Sequence, residues 1–340
     1  MSARTIKVHL DTDIGGDIDD LCALAMLLAW PGVDLTGVTT VADEGGRRAG
    51  YARYALRLAG RPGVPVAAGA GVAQGYFRWV PEYPPEGEYW PEPVPPWPNP
   101  SDEAVELLAD SIRAGALIVG IGPCTNLALL DRKYPGLLQD ANVYLMGGFI
   151  SAARGSPSSM RPAEGLRTAA GPAEGSRSSD APAPLELPVL STELDYNLQM
   201  DAASARRIIE RCRPTLIPIS VSVQTALRAS YLPGLRRAGP LGELLARQAA
   251  AFAVHERYTE RYARTRSGLP AGIINFQHDP LACAVALGWD GVRIEQLPLL
   301  VEIEDGWLVE RVDEAGVGTP VVTAVDGPRF DELWYNLLSR

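Results

Sequence analysis

The ten residues Asp11–Asp20 near the start of the chain hold five aspartates. The β-prone run Ile6–Leu10 precedes them and the apolar run Leu21–Trp30 follows, so the pattern predicts a strand, an acidic loop and a helix. In open α/β sheets, ligands bind at the carboxyl ends of strands, where such a loop lies. Because like charges this close repel one another, the stretch predicts a bound cation, and carboxylate oxygens suit Ca²⁺ or Mg²⁺.

Short β-rich runs alternate with helical runs along most of the chain, with candidate strands at 34–42, 64–69, 117–121 and 142–146. This alternation predicts an α/β fold with an open, mostly parallel central sheet flanked by helices, of the Rossmann-like kind. The chain has 340 residues, of which 46% are hydrophobic, so it can bury a large core. We expect one domain over 1–340.

Later segments extend this pattern. The run Leu216–Val223 predicts another strand, and Gly242–Thr265 predicts a long helix. Four side chains of that helix fall within reach of one face by their spacing: Phe252, His255, Tyr258 and Tyr262. Such a stripe is more often core than pocket.

Two segments differ in composition from the rest. Residues 71–100 are rich in Pro, Trp, Tyr and Glu, and their aromatic rings could stack on a flat ligand or pack on the protein body. Residues 151–184 are dominated by Ser, Ala, Gly, Pro and Arg, which predicts a mobile insertion.

The composition limits the partners of the protein. A net charge of −10 argues against nucleic acid and anionic membranes, which both need a basic surface. The four scattered cysteines are typical of buried free thiols in a reducing compartment. The sequence shows no basic-then-apolar leader and no apolar run of membrane-spanning length, so we expect a cytoplasmic protein.

Four motifs in order carry a resemblance: Asp11-Thr12-Asp13 with Gly15 and Asp19-Asp20, then Gly122-Pro123-Cys124-Thr125-Asn126, then Asp195-Tyr196-Asn197, then His278-Asp279-Pro280. Together they resemble the inosine-uridine preferring nucleoside hydrolases, a family of calcium-dependent nucleoside N-ribohydrolases. The loop before Asp19 is two residues longer than the commonest form and holds Asp17. Asp43-Glu44 stands where the family usually has Gly-Asn, and Asp195 replaces a Glu.

The resemblance implies that the protein hydrolyses the N-glycosidic bond of a ribonucleoside to ribose and free base. The implied Ca²⁺ ligands are Asp13, Asp20, the carbonyl of Thr125, and Asp279. Asp13 is the implied base that activates a water, His278 is the candidate acid for the departing base, and Asp11 would orient a ligand or the water from behind. The implied contacts to the substrate come from Asp19, Glu44, Met146, Asp195 and Asn197. The family also uses residues of the long helix around the departing base, so the resemblance leaves a role at the leaving group open for the stripe in Gly242–Thr265. The family also implies a homodimer or a homotetramer.

Two other functions stay open. The substituted contacts fit a Ca²⁺-dependent nucleoside- or ribose-binding protein without turnover. The Asp11-Thr12-Asp13 core also resembles haloacid-dehalogenase-type phosphatases, in which Asp11 would be the nucleophile and Lys133 would have to lie beside the phosphate. An EF-hand is excluded, because Cys22 stands where that loop needs a bidentate Glu.

Overall fold

The computed structural model describes residues 5–73, 77–100, 102–151, 195–257 and 269–340. The strands are β1 (Ile6–Thr12), β2 (Val33–Thr40), β3 (Val66–Ala68), β4 (Leu117–Gly120), β5 (Val143–Met146), β6 (Ile150–Ser151), β7 (Thr215–Ile217), β8 (Ala226–Arg228), β9 (Ile273–Phe276), β10 (Val292–Glu304), β11 (Trp307–Val312) and β12 (Val317–Val325). The helices are α1 (Asp19–Ala29), α2 (Arg47–Leu58), α3 (Glu86–Tyr89), α4 (Glu103–Arg113), α5 (Thr125–Lys133), α6 (Tyr196–Met200), α7 (Ala202–Cys212), α8 (Ile219–Ser222), α9 (Leu232–Leu235), α10 (Pro240–Glu256), α11 (His278–Ala286) and α12 (Gly327–Leu338).

Ten of these strands form one sheet, in the order β3-β2-β1-β4-β5-β7-β12-β10-β11-β6. The pairs from β3 through β12 are parallel, and β10 runs antiparallel to both of its neighbours. The α/β fold with a mostly parallel sheet is therefore confirmed. Strand order reverses between β1 and β4, and this is the position at which open α/β sheets bind their ligands.

The central strand β1 is buried on both faces. Val8 and Leu10 belong to an apolar core with α1, α11 and α12, while a second core gathers α4, α5 and α7. Even His9 is fully buried, with its ring nitrogens bonded to the hydroxyls of Ser111 (2.8 Å) and Thr39 (3.0 Å). Burial lowers the pKa of His9 to about 3, so this histidine is a neutral structural residue.

Two element predictions need correction. The predicted strand Leu216–Val223 is a strand only to Ile217, because Pro218 lacks an N–H and the chain turns into α8. The predicted helix Gly242–Thr265 ends at Glu256, where Arg257 takes a φ of 47°. Tyr258 and Tyr262 lie outside the described residues, as does nearly all of the predicted insertion at 151–184. None of the described helices is both long enough and apolar enough to span a membrane.

Candidate active site

A cavity of about 720 Å³ opens where β1 and β5 end, and it has the size of a small-molecule site. The lining includes Asp13, Asp19, Asp20 and Asp279, which we call the acidic group. Strand β1 delivers Asp13, the first turn of α1 holds Asp19 and Asp20, and the first turn of α11 holds Asp279. Motifs far apart in sequence thus meet at the switch point of the sheet.

Three carboxylates of the acidic group form a compact cluster. One oxygen each of Asp19, Asp20 and Asp279 lies within 4.8 Å of the others, and all three residues are buried. Burial, followed by repulsion from neighbouring carboxylates, raises the pKa of each well above its usual value. Buried oxygen donors that repel one another fit a hard divalent cation, which would compensate their charge.

Asp13 lies beside this cluster and is held by a buried guanidinium. Arg48, which is 1% exposed, donates from Nη1 to the carbonyls of Asp13 and Ile14 (3.1 Å for Ile14), and from Nε to the carbonyl of Ala42 (3.0 Å). Gly122 allows the Asp13 carboxylate to approach, since an added Cβ would lie 2.9 Å from Oδ1. Burial raises the pKa of Asp13, and the charge of Arg48 opposes that rise.

Asp11 and Thr125 have their side chains directed to structural partners. Asp11 Oδ1 accepts from Thr39 Oγ1 (2.5 Å) and from Asn126 Nδ2 (2.8 Å), so it joins the ends of β1 and β2 to α5. Burial raises the pKa of Asp11 to about 7. Thr125 Oγ1 donates to Asp201 Oδ2 at 2.7 Å. Neither residue is among the described lining of the cavity, and the supporting role of Asp11 stays a prediction.

Met146, Asp195 and Asn197, three of the predicted sugar contacts, line the cavity together. Asn197 Nδ2 donates to the Met146 carbonyl (3.2 Å). Asp195 caps α6 by accepting from the Leu198 N–H (3.3 Å), and its other oxygen accepts from the Gly148 N–H (2.9 Å). These bonds fix both carboxylate oxygens at the cavity wall.

The buried Glu310 on β11 lies behind Asp195. Its Oε2 accepts from the Phe149 N–H (3.4 Å), next to the Gly148 N–H that Asp195 uses. Burial and the nearby charge of Asp195 raise the pKa of Glu310 to about 8, and burial raises that of Asp195 to about 7. Glu310 thus adds a second buried carboxyl near Asp195, and its Oε1 has no hydrogen-bond partner among the described residues.

The predicted acid His278 lines the cavity at the start of α11. Its Nδ1 lies 2.7 Å from Ser222 Oγ, and its ring lies 5.6 Å from that of Phe276 between centroids. The bond to Ser222 fixes the position of the imidazole at the cavity wall.

The structure does not bring every predicted residue to the cavity. Glu44 is exposed in a turn and is not among the described lining residues. Its neighbour Asp43 turns inward instead and accepts from the Arg48 N–H (2.9 Å) and the Ala49 N–H (3.0 Å). Lys133 pairs with Glu106 (2.5 Å) and Asp102 (3.3 Å), away from Asp11, which removes the phosphate-binding group that a phosphatase would need.

The cavity also has an aromatic wall, which we define as Trp79, Tyr83, Tyr89 and Phe252. Trp79 stacks on Tyr196, with ring centroids 5.3 Å apart and planes at 14°. Part of the proline-rich segment 71–100 thus faces the cavity, where its rings could stack on a flat ligand. Trp90 instead packs on the protein body, because it stacks on Tyr51 in the core.

Three further residues at or behind the cavity wall were not predicted from the sequence: Arg48, Glu310 and Asn275. Asn275 donates to Asp17 Oδ1 at 2.6 Å, which fixes the extra aspartate of the long loop at the cavity. Burial raises the pKa of Asp17 to about 7. Only Glu310 has a local signal in the sequence, because it is an acidic residue within the mostly apolar strand β11.

The family of this chain follows from a match to a family profile over most of its length. The profile described as "Inosine-uridine preferring nucleoside hydrolase" matches residues 8–332. The chain belongs to this family. The resemblance carried by the four motifs is therefore confirmed, and the family comprises hydrolases that act on N-glycosyl compounds.

The chain is also similar to individual proteins. The pyrimidine-specific ribonucleoside hydrolase RihB of Escherichia coli is 24% identical over 345 residues, covering 97% of this chain and 94% of RihB. An uncharacterised protein of Schizosaccharomyces pombe is 32% identical over 169 residues, 45% of this chain and 53% of that protein. The solved purine-preferring ribonucleoside hydrolase of Gardnerella vaginalis shares the fold, with a TM-score of 0.71, 22% identity and 98% of each chain covered.

Proposed function

We propose that this protein hydrolyses the N-glycosidic bond of a ribonucleoside, releasing ribose and the free base. The observation that carries the proposal is the buried acidic group, which lies in one cavity with Asp195 and Asn197 at the switch point of the sheet. Cleavage of a glycosidic bond develops positive charge on the sugar, and fixed carboxylates stabilise that charge.

The proposal assigns each step of this reaction to a side chain of the site. Asp13 accepts the proton of the attacking water, and its main chain is held by Arg48. Asp195 and Asn197 hold ribose hydroxyls, Asp19 adds a further contact, and Met146 lies against the sugar. His278 donates a proton to the departing base. Glu44 has no role here, since it is exposed outside the cavity.

We propose Ca²⁺ as the cofactor, with Asp13, Asp20, Asp279 and the carbonyl of Thr125 as ligands; Asp19 also lies close enough to contribute. A bound Ca²⁺ ion would orient a water and lower its pKa. The rise in the pKa of these carboxyls supports a cation at this position, because the ionised cluster is costly without one.

The test is the release of reducing sugar from a panel of purine and pyrimidine ribonucleosides, with Ca²⁺ and with a chelator. We expect release that the chelator abolishes and Ca²⁺ restores. Sugar release unaffected by the chelator would refute the metal assignment alone. Ribonucleosides that bind without any release would refute hydrolysis and identify a binding protein.

The remaining expectations concern the whole protein. We propose a single domain over 1–340 that forms a homodimer or a homotetramer in the cytoplasm. Light scattering of the purified chain would give its mass directly. A monomer at the concentrations used for the activity assay would refute the oligomer.

A further inference from the structure

A buried chain of side-chain hydrogen bonds runs between α4, β1, β2 and α5 without a role in the scheme above. Ser111 Oγ lies 2.8 Å from His9 Nδ1, and His9 Nε2 lies 3.0 Å from Thr39 Oγ1. Thr39 Oγ1 donates to Asp11 Oδ1 (2.5 Å), and the same oxygen accepts from Asn126 Nδ2 (2.8 Å). All five residues are buried, and we call them the His9 network.

The direction of each bond follows from the protons that the groups can give. The Thr39 hydroxyl has one proton, which it donates to Asp11, so it accepts from His9. Nε2 of His9 therefore carries the ring proton, and Nδ1 of the neutral ring accepts from the Ser111 hydroxyl. Every donor in the network thus points toward the Asp11 carboxylate, and hydrogen bonds aligned in this way strengthen one another.

The neighbouring strand leaves space for the imidazole. Gly37 on β2 pairs with His9, and a Cβ at position 37 would lie 3.0 Å from both Cε1 and Nδ1 of the ring. Since His9 remains neutral through burial, it acts by hydrogen bonding alone. A ring bonded at both nitrogens and enclosed by strands holds the Thr39 hydroxyl in one orientation.

Asn126, at the other end of the network, uses its whole side chain. Nδ2 donates one proton to Asp11 Oδ1 (2.8 Å) and the other to the Thr40 carbonyl (2.8 Å), while Oδ1 accepts from the Ala70 N–H (2.9 Å). The backbone nitrogen of Asn126 is bonded covalently to the carbonyl carbon of Thr125. Bonds that fix Asn126 therefore also fix the peptide that carries the Thr125 carbonyl.

The network thus joins two segments that hold proposed Ca²⁺ ligands. Asp11 stands on β1 two residues before Asp13, and Asn126 directly follows Thr125 at the start of α5. Polar groups that hold metal ligands in place contribute to metal affinity, because the ligands then need no ordering when the ion binds.

We propose that His9 is a positioning residue for the metal, which acts through Thr39 and Asp11 to fix the peptide between Thr125 and Asn126. This inference rests on the proposed function, in which the Thr125 carbonyl binds Ca²⁺. His9 itself touches neither the ion nor the substrate. Its role is to supply the N–H that orients the Thr39 hydroxyl toward Asp11.

The experiment titrates Ca²⁺ into the full-length, metal-free protein and measures its dissociation constant by calorimetry. Thr39→Val and His9→Leu break the network, whereas Thr39→Ser keeps the hydroxyl. The matched control is Thr319→Val, which removes the hydroxyl of another buried threonine, on β12 outside the cavity lining. Thermal melts of the metal-free proteins measure the loss of stability separately.

We expect Thr39→Val and His9→Leu to weaken Ca²⁺ binding about tenfold, and Thr39→Ser to stay within about threefold of the unaltered protein. Thr319→Val should lower the melting temperature without changing the affinity for Ca²⁺. Unchanged affinity in Thr39→Val, with a lower melting temperature, would overturn the proposal by showing a purely structural network. Ser111→Ala removes one hydroxyl at the end of the network, and we expect it to weaken binding by about threefold even if His9→Leu folds poorly.

A second measurement tests the direction of the bonds. The chain has three histidines, so NMR of the imidazole nitrogens in histidine-labelled protein can be assigned with His9→Leu as the reference. We expect the proton of His9 on Nε2 and none on Nδ1 at neutral pH. The opposite tautomer would overturn the proposal, because Thr39 would then donate to His9 and not to Asp11.

These results separate this inference from the proposed function. Unaltered protein that binds no Ca²⁺ would refute the metal assignment, and the role of His9 with it. Unaltered protein that binds Ca²⁺ but hydrolyses no ribonucleoside would refute the hydrolase, while a loss of affinity in Thr39→Val would still support the network. Hydrolysis with Ca²⁺ binding that is equal in all the variants would refute the role of His9 alone.

Discussion

The acidic group and the aromatic wall face the same cavity but come from different kinds of structure. The acidic group stands at the end of β1 and in the first turns of α1 and α11. Most of the aromatic wall comes from the segment 77–100, which has one short helix, and the rest from Phe252 near the end of α10. Regular elements thus hold the groups to which we assign the chemistry, while connecting segments shape the rest of the cavity.

This difference explains how one family can include enzymes named for different bases. The E. coli relative is named for pyrimidines and the G. vaginalis structure for purines. A loop can change its aromatic residues without disturbing a buried sheet. If the acidic group acts in hydrolysis and the aromatic wall in binding, substitutions in the first should lower kcat and substitutions in the second should raise KM.

The largest effect should come from Asp13→Asn in the acidic group. We expect kcat to fall about 10³-fold, because an amide cannot accept the proton of water. Thermal stability of the metal-free protein should not fall, since burial raises the pKa of Asp13 and the ionised form is costly. Kinetics and thermal melts measure both.

The matched control for this variant is Asp34→Asn on β2, outside the cavity, which should leave kcat unchanged. Near-normal turnover in Asp13→Asn would remove Asp13 as the base. That result would also contradict the contrast between the acidic group and the aromatic wall, because the acidic group would then not be needed for hydrolysis.

The next effect should come from Arg48, which touches both sides of the cavity. Arg48 holds the carbonyls of Asp13, Ile14 and Ala42, and its Cζ lies 4.8 Å from the centre of the Tyr83 ring. We expect Arg48→Met to cost about 3 kcal/mol of unfolding free energy, because buried carbonyls lose charged donors. Urea denaturation measures this loss.

Arg48→Lys should recover only part of that stability, since an ammonium cannot reproduce the planar donor geometry. Arg53→Met is the control, because Arg53 stacks on Trp97 outside the cavity (3.6 Å from Cζ to the ring centre) and should cost less than about 1 kcal/mol. Equal stability of Arg48→Met and Arg53→Met would show that the buried contacts of Arg48 matter little.

A smaller effect should come from the aromatic wall. We expect Trp79→Ala to raise KM about tenfold with less change in kcat, because it removes a stacking face without touching the acidic group. Trp97→Ala is the control, since Trp97 is 45% exposed and lies outside the cavity lining. A loss confined to kcat in Trp79→Ala would contradict a binding role for this wall.

The contrast between regular elements and connecting segments also explains which features could be predicted from the sequence. The strand, loop and helix around Asp11–Asp20 follow from local apolar periodicity, and β1 and α1 form where that pattern lies. The motif His278-Asp279 similarly opens a regular helix. The meeting of both motifs at one cavity does not follow from this pattern, because β9, the strand before His278, belongs to a separate two-stranded antiparallel sheet with β8.

Residues that act through distant contacts could not be found in this way. Arg48 reaches Asp13 across 35 positions of the chain, and Asn275 reaches Asp17 across 258. Glu44 was expected at the substrate by its place in the motif, yet a turn exposes it and directs Asp43 inward. Local spacing cannot decide which of two adjacent acids faces the core, because tertiary packing sets that choice.

The smallest effect should be a pH-dependent change in stability at the pair Asp195 and Glu310. The pKa of Glu310 is raised from its ordinary value of 4.5 to about 8 in the folded protein, so folding favours its protonated form and stability falls as pH rises from 4.5 through about 8. Glu310→Gln keeps the shape of the protonated acid without the ionisation. We therefore expect melting temperature to rise by about 2 °C at pH 9 and to stay unchanged at pH 4, below the unfolded pKa.

Glu302→Gln is the control for this measurement, because Glu302 is half-exposed on β10 and pairs with Arg311 at 3.0 Å. That variant should not stabilise the protein at either pH, since its pair is largely solvated. A gain of equal size at both pH values in Glu310→Gln would point to packing instead of the ionisation of Glu310. A lower melting temperature at both pH values would mean that Glu310 is ionised in the folded protein and that its carboxylate is needed to accept the Phe149 N–H.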